Sequence, residues 1–222
     1  MKFRLTLSDD IRQHCPLYRG AAVYASVQNS AHSDGLWEEI AAFTRELQAS
    51  ETPDSIKLQP AIAATRAAYR SLGKDPSRYR PSAEALRRRL LRGLDLYRID
   101  TLVDLINLVS LRTGYSIGGF DADKIVGTSL TLGVGQGGEP FEGIGRGPLN
   151  IEGLPVYRDE QGGIGTPTSD HERTKMGLET THILAIINGY SGAEGLEEAA
   201  QWTADLLRRY AAATDVEICL YE

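Results

Sequence analysis

The sequence predicts an α+β fold, and three observations carry that prediction. Apolar stripes at helical spacing fill much of the first half, Gly- and Pro-punctuated extended pieces follow, and a strand, a helix and a strand close the chain. Phe3 to Leu7 alternates polar and apolar residues and reads as a first strand, and Ala21 to Val27, around Val23, Tyr24 and Val27, as a second, with the turn-prone Cys15-Pro16 between them. Ser33-Asp34 caps a helix carrying Leu36, Trp37, Ile40, Phe43 and Leu47, and Pro53-Asp54 precedes another with Ile62, Ala63, Ala67 and Tyr69. Both stripes have the spacing of a core face. Pro81-Ser82 opens a short basic helix, Ala83 to Leu91, that stops at Gly93. Thr101 with Asp104 forms a carboxylate variant of the capping box ahead of Leu105, Leu108, Val109 and Leu111, and Gly114 ends that helix.

Beyond Gly114 the texture is extended: Ile125-Val126, Leu130 to Leu132, Phe141, Ile144, Leu154 to Tyr157 and Ile164 are short apolar pieces between turns. Thr181 to Ile187 reads as a buried strand because it is rich in β-branched residues, with Gly189 to Gly195 as its turn. Glu197 to Tyr210 is helical, and Val216 to Leu220 alternates as a final strand.

Composition sets limits on function. The chain has 222 residues, 41% hydrophobic and 24% charged, which are globular values and large enough for one compact unit over 1–222 with a sizeable core. Residues 2–7 lack the long apolar run of a signal peptide or membrane span, so a cytoplasmic protein is expected. Cys15 and Cys219 are the two cysteines, too few and too far apart for a disulfide framework or a clustered zinc site, and no metal or other cofactor is expected. A net charge of −6 argues against a sequence-wide nucleic-acid binder, because affinity for a polyanion rests on Lys and Arg. RNA contact therefore needs a local patch. The run from Arg78 to Arg98 supplies one, with Arg87, Arg88, Arg89 and Arg92 at its centre; a solvated helix face is the alternative for the same run.

Nucleotide, zinc-protease and serine-hydrolase signatures are absent. Gly133 to Gly138 is glycine-rich but precedes no helix start, so it reads as a hairpin turn rather than a phosphate cradle. His14, His32, His171 and His182 are dispersed. Asn107 and Ser110 share one helix face at i and i+3, a spacing that lets two polar groups converge on one cavity; a cap or inter-element hydrogen bond would use the same residues.

The run from Leu102-Val103-Asp104 through Asn107-Leu108-Val109-Ser110 to Gly118-Gly119-Phe120-Asp121 resembles the B3/B4 domain of the phenylalanyl-tRNA synthetase beta subunit, where a Val-Asp-Val-Thr-Asn helix precedes a Gly-x-Pro-x-His-Ala-Phe-Asp segment. Pro81 to Arg88, Ile99-Asp100 and Ser169 to Lys175 resemble the stand-alone branch of that family. The likeness covers roughly residues 80 to 190, within a recognisable core of 80–222, whereas 1–75, a strand-plus-helix part, resembles the family weakly. It implies a B3/B4-like fold, mixed β layers packed with helices. It also implies a pocket that hydrolyses amino acids wrongly attached to tRNA, with aminoacylated tRNA as partner. The alternative on the same scaffold is a non-catalytic module that binds RNA or an amino acid. An editing site needs a placed water, donors for the oxyanion and a side-chain pocket, not a strong nucleophile.

Carried over by the resemblance, the family's Thr-Asn pair falls on Ile106 and Asn107, its pocket His on Gly118, its Phe-Asp on Phe120 and Asp121, and its tyrosine-recognising Glu on Ile186. Asn107 and Ser110 are the first choice for the chemistry, with Gly118, Phe120, Asp121, Thr174 and Ile186 for substrate. Asp121 could orient a ligand amine, or serve as a backbone acceptor in its turn. Arg112, Asp170, Glu172, Arg173 and Thr174 are polar enough to line a mouth, and each also fits an ordinary surface or turn position.

Overall fold

The computed structural model describes residues 2–222; Met1 lies outside them. Three layers follow from the apolar pattern. One four-stranded sheet is antiparallel throughout, in the order β10 (Thr214–Tyr221), β2 (Arg19–Ser26), β9 (His182–Gly189), β3 (Ile117–Asp121). A second runs β1 (Arg4–Leu7), β4 (Ser129–Val134), β7 (Pro155–Asp159), β8 (Gly162–Gly165), with β1 parallel to β4.

Strand β9 is buried on both faces, which is why it reads as an unbroken apolar run. Ile183, Ala185 and Ile187 join the core under the helices, while Leu184 and Ile186 join Phe120, Leu130, Leu132 and Ile164 between the sheets. The helical layer is α2 (Asp34–Ser50), α4 (Ser82–Leu91), α5 (Thr101–Thr113) and α6 (Leu196–Tyr210). Helix α3 (Pro60–Ser71) starts with Pro60 in its first turn, where a missing N–H costs nothing. Residues 2–75 are interleaved with the rest, since β1 pairs with β4 and β2 lies between β9 and β10. Among the described residues no helix is long and apolar enough to cross a membrane.

Several local expectations are corrected. The Cys15-Pro16 turn is preceded by a short helix, α1 (Asp9–His14), capped by Ser8, whose hydroxyl accepts from Ile11 N at 3.4 Å. Helix α5 is capped by Asp100, not Thr101: the Asp100 carboxylate accepts from Val103 N at 2.9 Å, and Thr101 turns to Ser30 at 2.7 Å. Asp104 closes no box; it accepts from Trp37 Nε1 at 2.7 Å and Ile99 N at 3.3 Å. The Gly133 to Gly138 stretch is no hairpin turn, because β4 returns as β7 only after an excursion holding the small hairpin β5 (Glu142–Gly143) and β6 (Gly147–Pro148). There Gly135 permits a close backbone approach; a Cβ on it would stand 1.9 Å from the Ile151 carbonyl oxygen.

Candidate functional site

A cavity of about 480 Å³ opens between the helical layer and the loops that follow β8. Helix α5 contributes Val103, Ile106, Asn107 and Ser110, strand β3 contributes Ile117 and Gly119, and the loop through Ser169 to Met176 closes the far side. Its walls are largely apolar. Gly119 leaves room: a Cβ there would meet Ile106 Cδ1 at 2.6 Å and Met176 Cε at 2.7 Å.

The feature that sets the cavity apart is Asp170. Its Oδ2 accepts from Gly119 N at 3.0 Å, and among the described residues no other hydrogen bond reaches the carboxyl. The residue is partly buried and lines the cavity. Desolvation pushes its pKa up to about 7, against the smaller lowering effect of the Gly119 N–H. A carboxyl that changes charge near neutral pH in a mostly apolar cleft has the properties of a general base.

The position of Asp170 is set by a tight polar turn. Thr166 Oγ1 accepts from Thr168 N at 3.1 Å and Ser169 N at 3.0 Å, and donates to Ser169 O at 3.0 Å. Pro167 O accepts from Ser82 N at 2.8 Å, tying the start of α4 to that turn, and Asp170 O accepts from Ile144 N at 3.0 Å. Missing side chains make the niche for the carboxyl, since a Cβ on Gly165 would stand 2.7 Å from Asp170 Oδ1. At the rim Lys175 Nζ meets Glu172 Oε2 at 2.8 Å, and Glu172 Oε1 accepts from Gly145 N at 3.2 Å.

Asn107 and Ser110 both line the cavity, on the shared face that their spacing implies. Among the described residues the Asn107 side chain has no hydrogen-bonding partner, so its amide is available to a ligand. Ser110 donates to Tyr115 O at 2.7 Å, which ties its proton to the end of its own helix.

The other substrate positions lie elsewhere. Side chains alternate along β3, so Gly118 and Phe120 face the second sheet, and Ile186, paired with Gly118, faces it too. None of these three lines the cavity. Asp121 serves its turn, accepting from Thr180 Oγ1 at 2.9 Å and Asp123 N at 3.1 Å, with Lys124 Nζ at 3.2 Å. Thr174 is fully buried with an unpartnered hydroxyl, outside the cavity lining. Arg173 grips Asp159 through two hydrogen bonds of 2.9 Å, and Arg112 lies over the rings of Phe43 and Trp202.

The basic helix divides in the same way. Arg87 is fully buried, pairing with Glu51 and donating to Leu111 O, so it cannot meet RNA. Arg88 bonds Glu84 at 2.8 Å, Arg89 donates to Asp95 O at 2.5 Å, and Arg92 is exposed, with no ion pair among the described residues. The sequence reading missed the weight of Asp170. Its local signal is the turn-forming run from Thr166 to Ser169 directly before it, but its burial depends on Gly119 and Gly165, which sequence does not place beside it.

The B3/4 domain family matches residues 64–219, well over half of the chain, and the chain belongs to that family. The N-terminal fragment of the phenylalanyl-tRNA synthetase beta subunit from Pyrococcus horikoshii is similar in structure. Identity is 15% and the TM-score 0.49, over 98% of this chain and 50% of that one, so the chain spans about half the length of that fragment. No curated protein matches.

Proposed function

We propose that this chain, acting as a single domain over 1–222, is a tRNA-associated hydrolase that clears wrongly attached amino acids from aminoacyl-tRNA in the cytoplasm. The observation that carries the reading is Asp170, a carboxyl with a pKa near 7 in an apolar cavity of a B3/4 domain. Asp170 takes a proton from water as that water attacks the ester carbonyl, the free amide of Asn107 donates to the developing oxyanion, and as the acyl–oxygen bond breaks Asp170 returns the proton to the departing ribose oxygen. The amino acid's side chain lies against Val103, Ile106, Ile117 and Met176. Ser110 acts as a positioning residue, because its proton is committed to Tyr115 O.

A non-catalytic amino-acid-binding role is the second reading, favoured by the same commitment of Ser110 and by the lack of a nucleophile and base pair in the cavity lining. The test is a panel of tRNAs carrying alanine, serine, threonine, phenylalanine or tyrosine, incubated with pure protein. Release of at least one amino acid, lost in Asp170→Asn, is expected. Binding without release across the panel decides for the second reading.

A further inference from the structure

The antiparallel sheet ends on two unlike edges. At one, β3 is buried at all five residues and borders the candidate cavity. At the other, β10 runs for eight residues with its inner side on β2, and among the described residues no backbone hydrogen bond reaches its outer side. The outer strands of the second sheet are shorter: β1 and β8 have four residues each, and Gly165 of β8 is bridged to Asp170. A long bare edge turns a row of N–H and C=O groups outward, and proteins blunt such edges with Lys, Pro, a bulge or a covering element. In β10 the bulge is confined to residues 214–217, and Glu217 to Tyr221 form a regular stretch with neither Lys nor Pro.

Exposed side chains on this stretch are apolar as well. Ile218 and Leu220 pair with Val23 and Ala21, which belong to the core under the helices, so both point to the helical side. The helical layer stops short of them: Ile218 is 36% exposed and Leu220 50%, whereas Val216, nearer the start of the strand, packs on that core. Cys219 pairs with Ala22 and lies on the opposite face.

We propose that β10 pairs with itself: two copies of this chain join β10 to β10, antiparallel about a two-fold axis at Cys219, and form one continuous sheet of both copies. The edge is complementary to itself in that register. Residue 219 is the midpoint of the regular stretch, so an axis there sets Ile218 of each copy opposite Leu220 of the other, exposed apolar against exposed apolar on one face. Glu217 falls opposite Tyr221 and Glu222 opposite Val216, so no like charges meet directly. The charge order along the strand agrees. Asp215 and Glu217 lie toward its start, while at its end Arg19 Nε meets Glu222 Oε2 at 2.9 Å and Arg12 Nη2 donates to Glu222 O at 3.3 Å. Antiparallel pairing lays the arginine end of each copy beside the acidic end of the other. A foreign peptide would also fill a bare edge, yet the match of apolar pairs and charge order is between this strand and itself. Both cavities lie beside β3, at the far edges of the joined sheet, and stay open.

The experiment is sedimentation velocity over a protein concentration series, with the melting temperature at each concentration, on the wild type, Ile218→Lys/Leu220→Lys and Cys219→Ser. The wild type is expected to show a dimer that grows with concentration and a melting temperature that rises with it. The double Lys variant changes solvent-exposed positions, so it should keep the wild-type circular dichroism. Its dimer should weaken by roughly a hundredfold, because two apolar cross-strand pairs are lost and Lys faces Lys. Copper–phenanthroline oxidation adds a readout of register: the two-fold sets the two Cys219 thiols directly across from each other, within a disulfide's reach. The wild type should therefore be linked into a covalent dimer, and Cys219→Ser should dimerise without being linked. A wild type that stays monomeric at every concentration overturns the proposal. So does a dimer that survives the double Lys variant, or a covalent link that forms without Cys219. Should the double Lys variant fail to fold, the presence of the link in the wild type and its absence in Cys219→Ser decide the matter alone.

Discussion

Two carboxylates sit inside this protein in opposite circumstances. Glu84, 1% exposed, meets Arg66 Nη1 and Arg88 Nε at 2.8 Å each, with Arg80 at 3.6 Å. Asp170 has one backbone N–H and a cavity in front of it. A buried charge is tolerable when partners replace the lost water, and Glu84 has them. Asp170 lacks them, so it resists ionisation and stays free to take a proton. The difference separates a carboxylate that holds elements together from one suited to chemistry.

Removing the poorly partnered carboxyl is the strongest way to sharpen that contrast. Asp170→Asn keeps the shape and an acceptor for Gly119 N, and deacylation should fall by about 10²–10⁴. The same substitution should stabilise the protein. Asp170 has a folded pKa raised from 3.8 to about 7, so the folded state keeps its proton across that window while the unfolded chain has released it. Wild-type stability contributed by this group therefore falls as pH rises from about 4 to about 7 and is flat above. The variant should lose that slope and gain up to roughly 4 kcal/mol at pH 8, read by denaturant titration at several pH values. The wild-type rate should rise with pH through the same region. A variant that is inactive and also less stable at pH 8 would break the comparison.

Glu84→Gln tests the other half. It strands Arg66 and Arg88, which reach some solvent, and should cost roughly 2 kcal/mol while leaving the cleavage rate per folded molecule within about twofold. An unchanged unfolding midpoint at constant pH would show the node to be dispensable.

Within the cavity, Asn107→Ala should lower activity about tenfold at an unchanged melting temperature. Ser110→Ala should instead cost about 1 kcal/mol through the lost Tyr115 contact, with little effect on rate. The reverse pattern would exchange their roles. The smallest effect concerns substrate. Walls of Val103, Ile106, Ile117 and Met176 offer a phenol hydroxyl few partners, so phenylalanine should be released about tenfold faster than tyrosine. A preference for tyrosine over phenylalanine would point to an unrecognised acceptor.

Where periodicity spoke, the sequence could be read directly. Helices α2, α3, α4, α5 and α6 and strands β9 and β10 were visible because each keeps one period long enough to register. Helix α1 has six residues, under two turns, and β3 carries Gly118-Gly119, which weakens any strand signal, so neither stood out. Asn107 and Ser110 were legible as a helix face. Asp170 was not, since its enclosure comes from segments far apart in the chain. Arg87 was hidden by its neighbours in a charge run, although Ala83, Arg87 and Leu90 form the buried stripe of α4 at helical spacing. Ile186 and Gly118 show the limit of carrying a motif across: a strand position has a face as well as a place, and theirs is turned from the cavity.

Helix α4 gives the candidate site a rigid support. Its first residue, Ser82, is bonded to the turn that presents Asp170, and its last turn leads into the irregular segment 92–100. With ten residues it is a strut about 15 Å long. Glu84 and its arginines brace it near one end, and buried Arg87 anchors it in the middle. The turn that presents Asp170 is thus backed by a short rod pinned to its surroundings at several points, which fixes the place of that carboxyl more firmly than a free loop would.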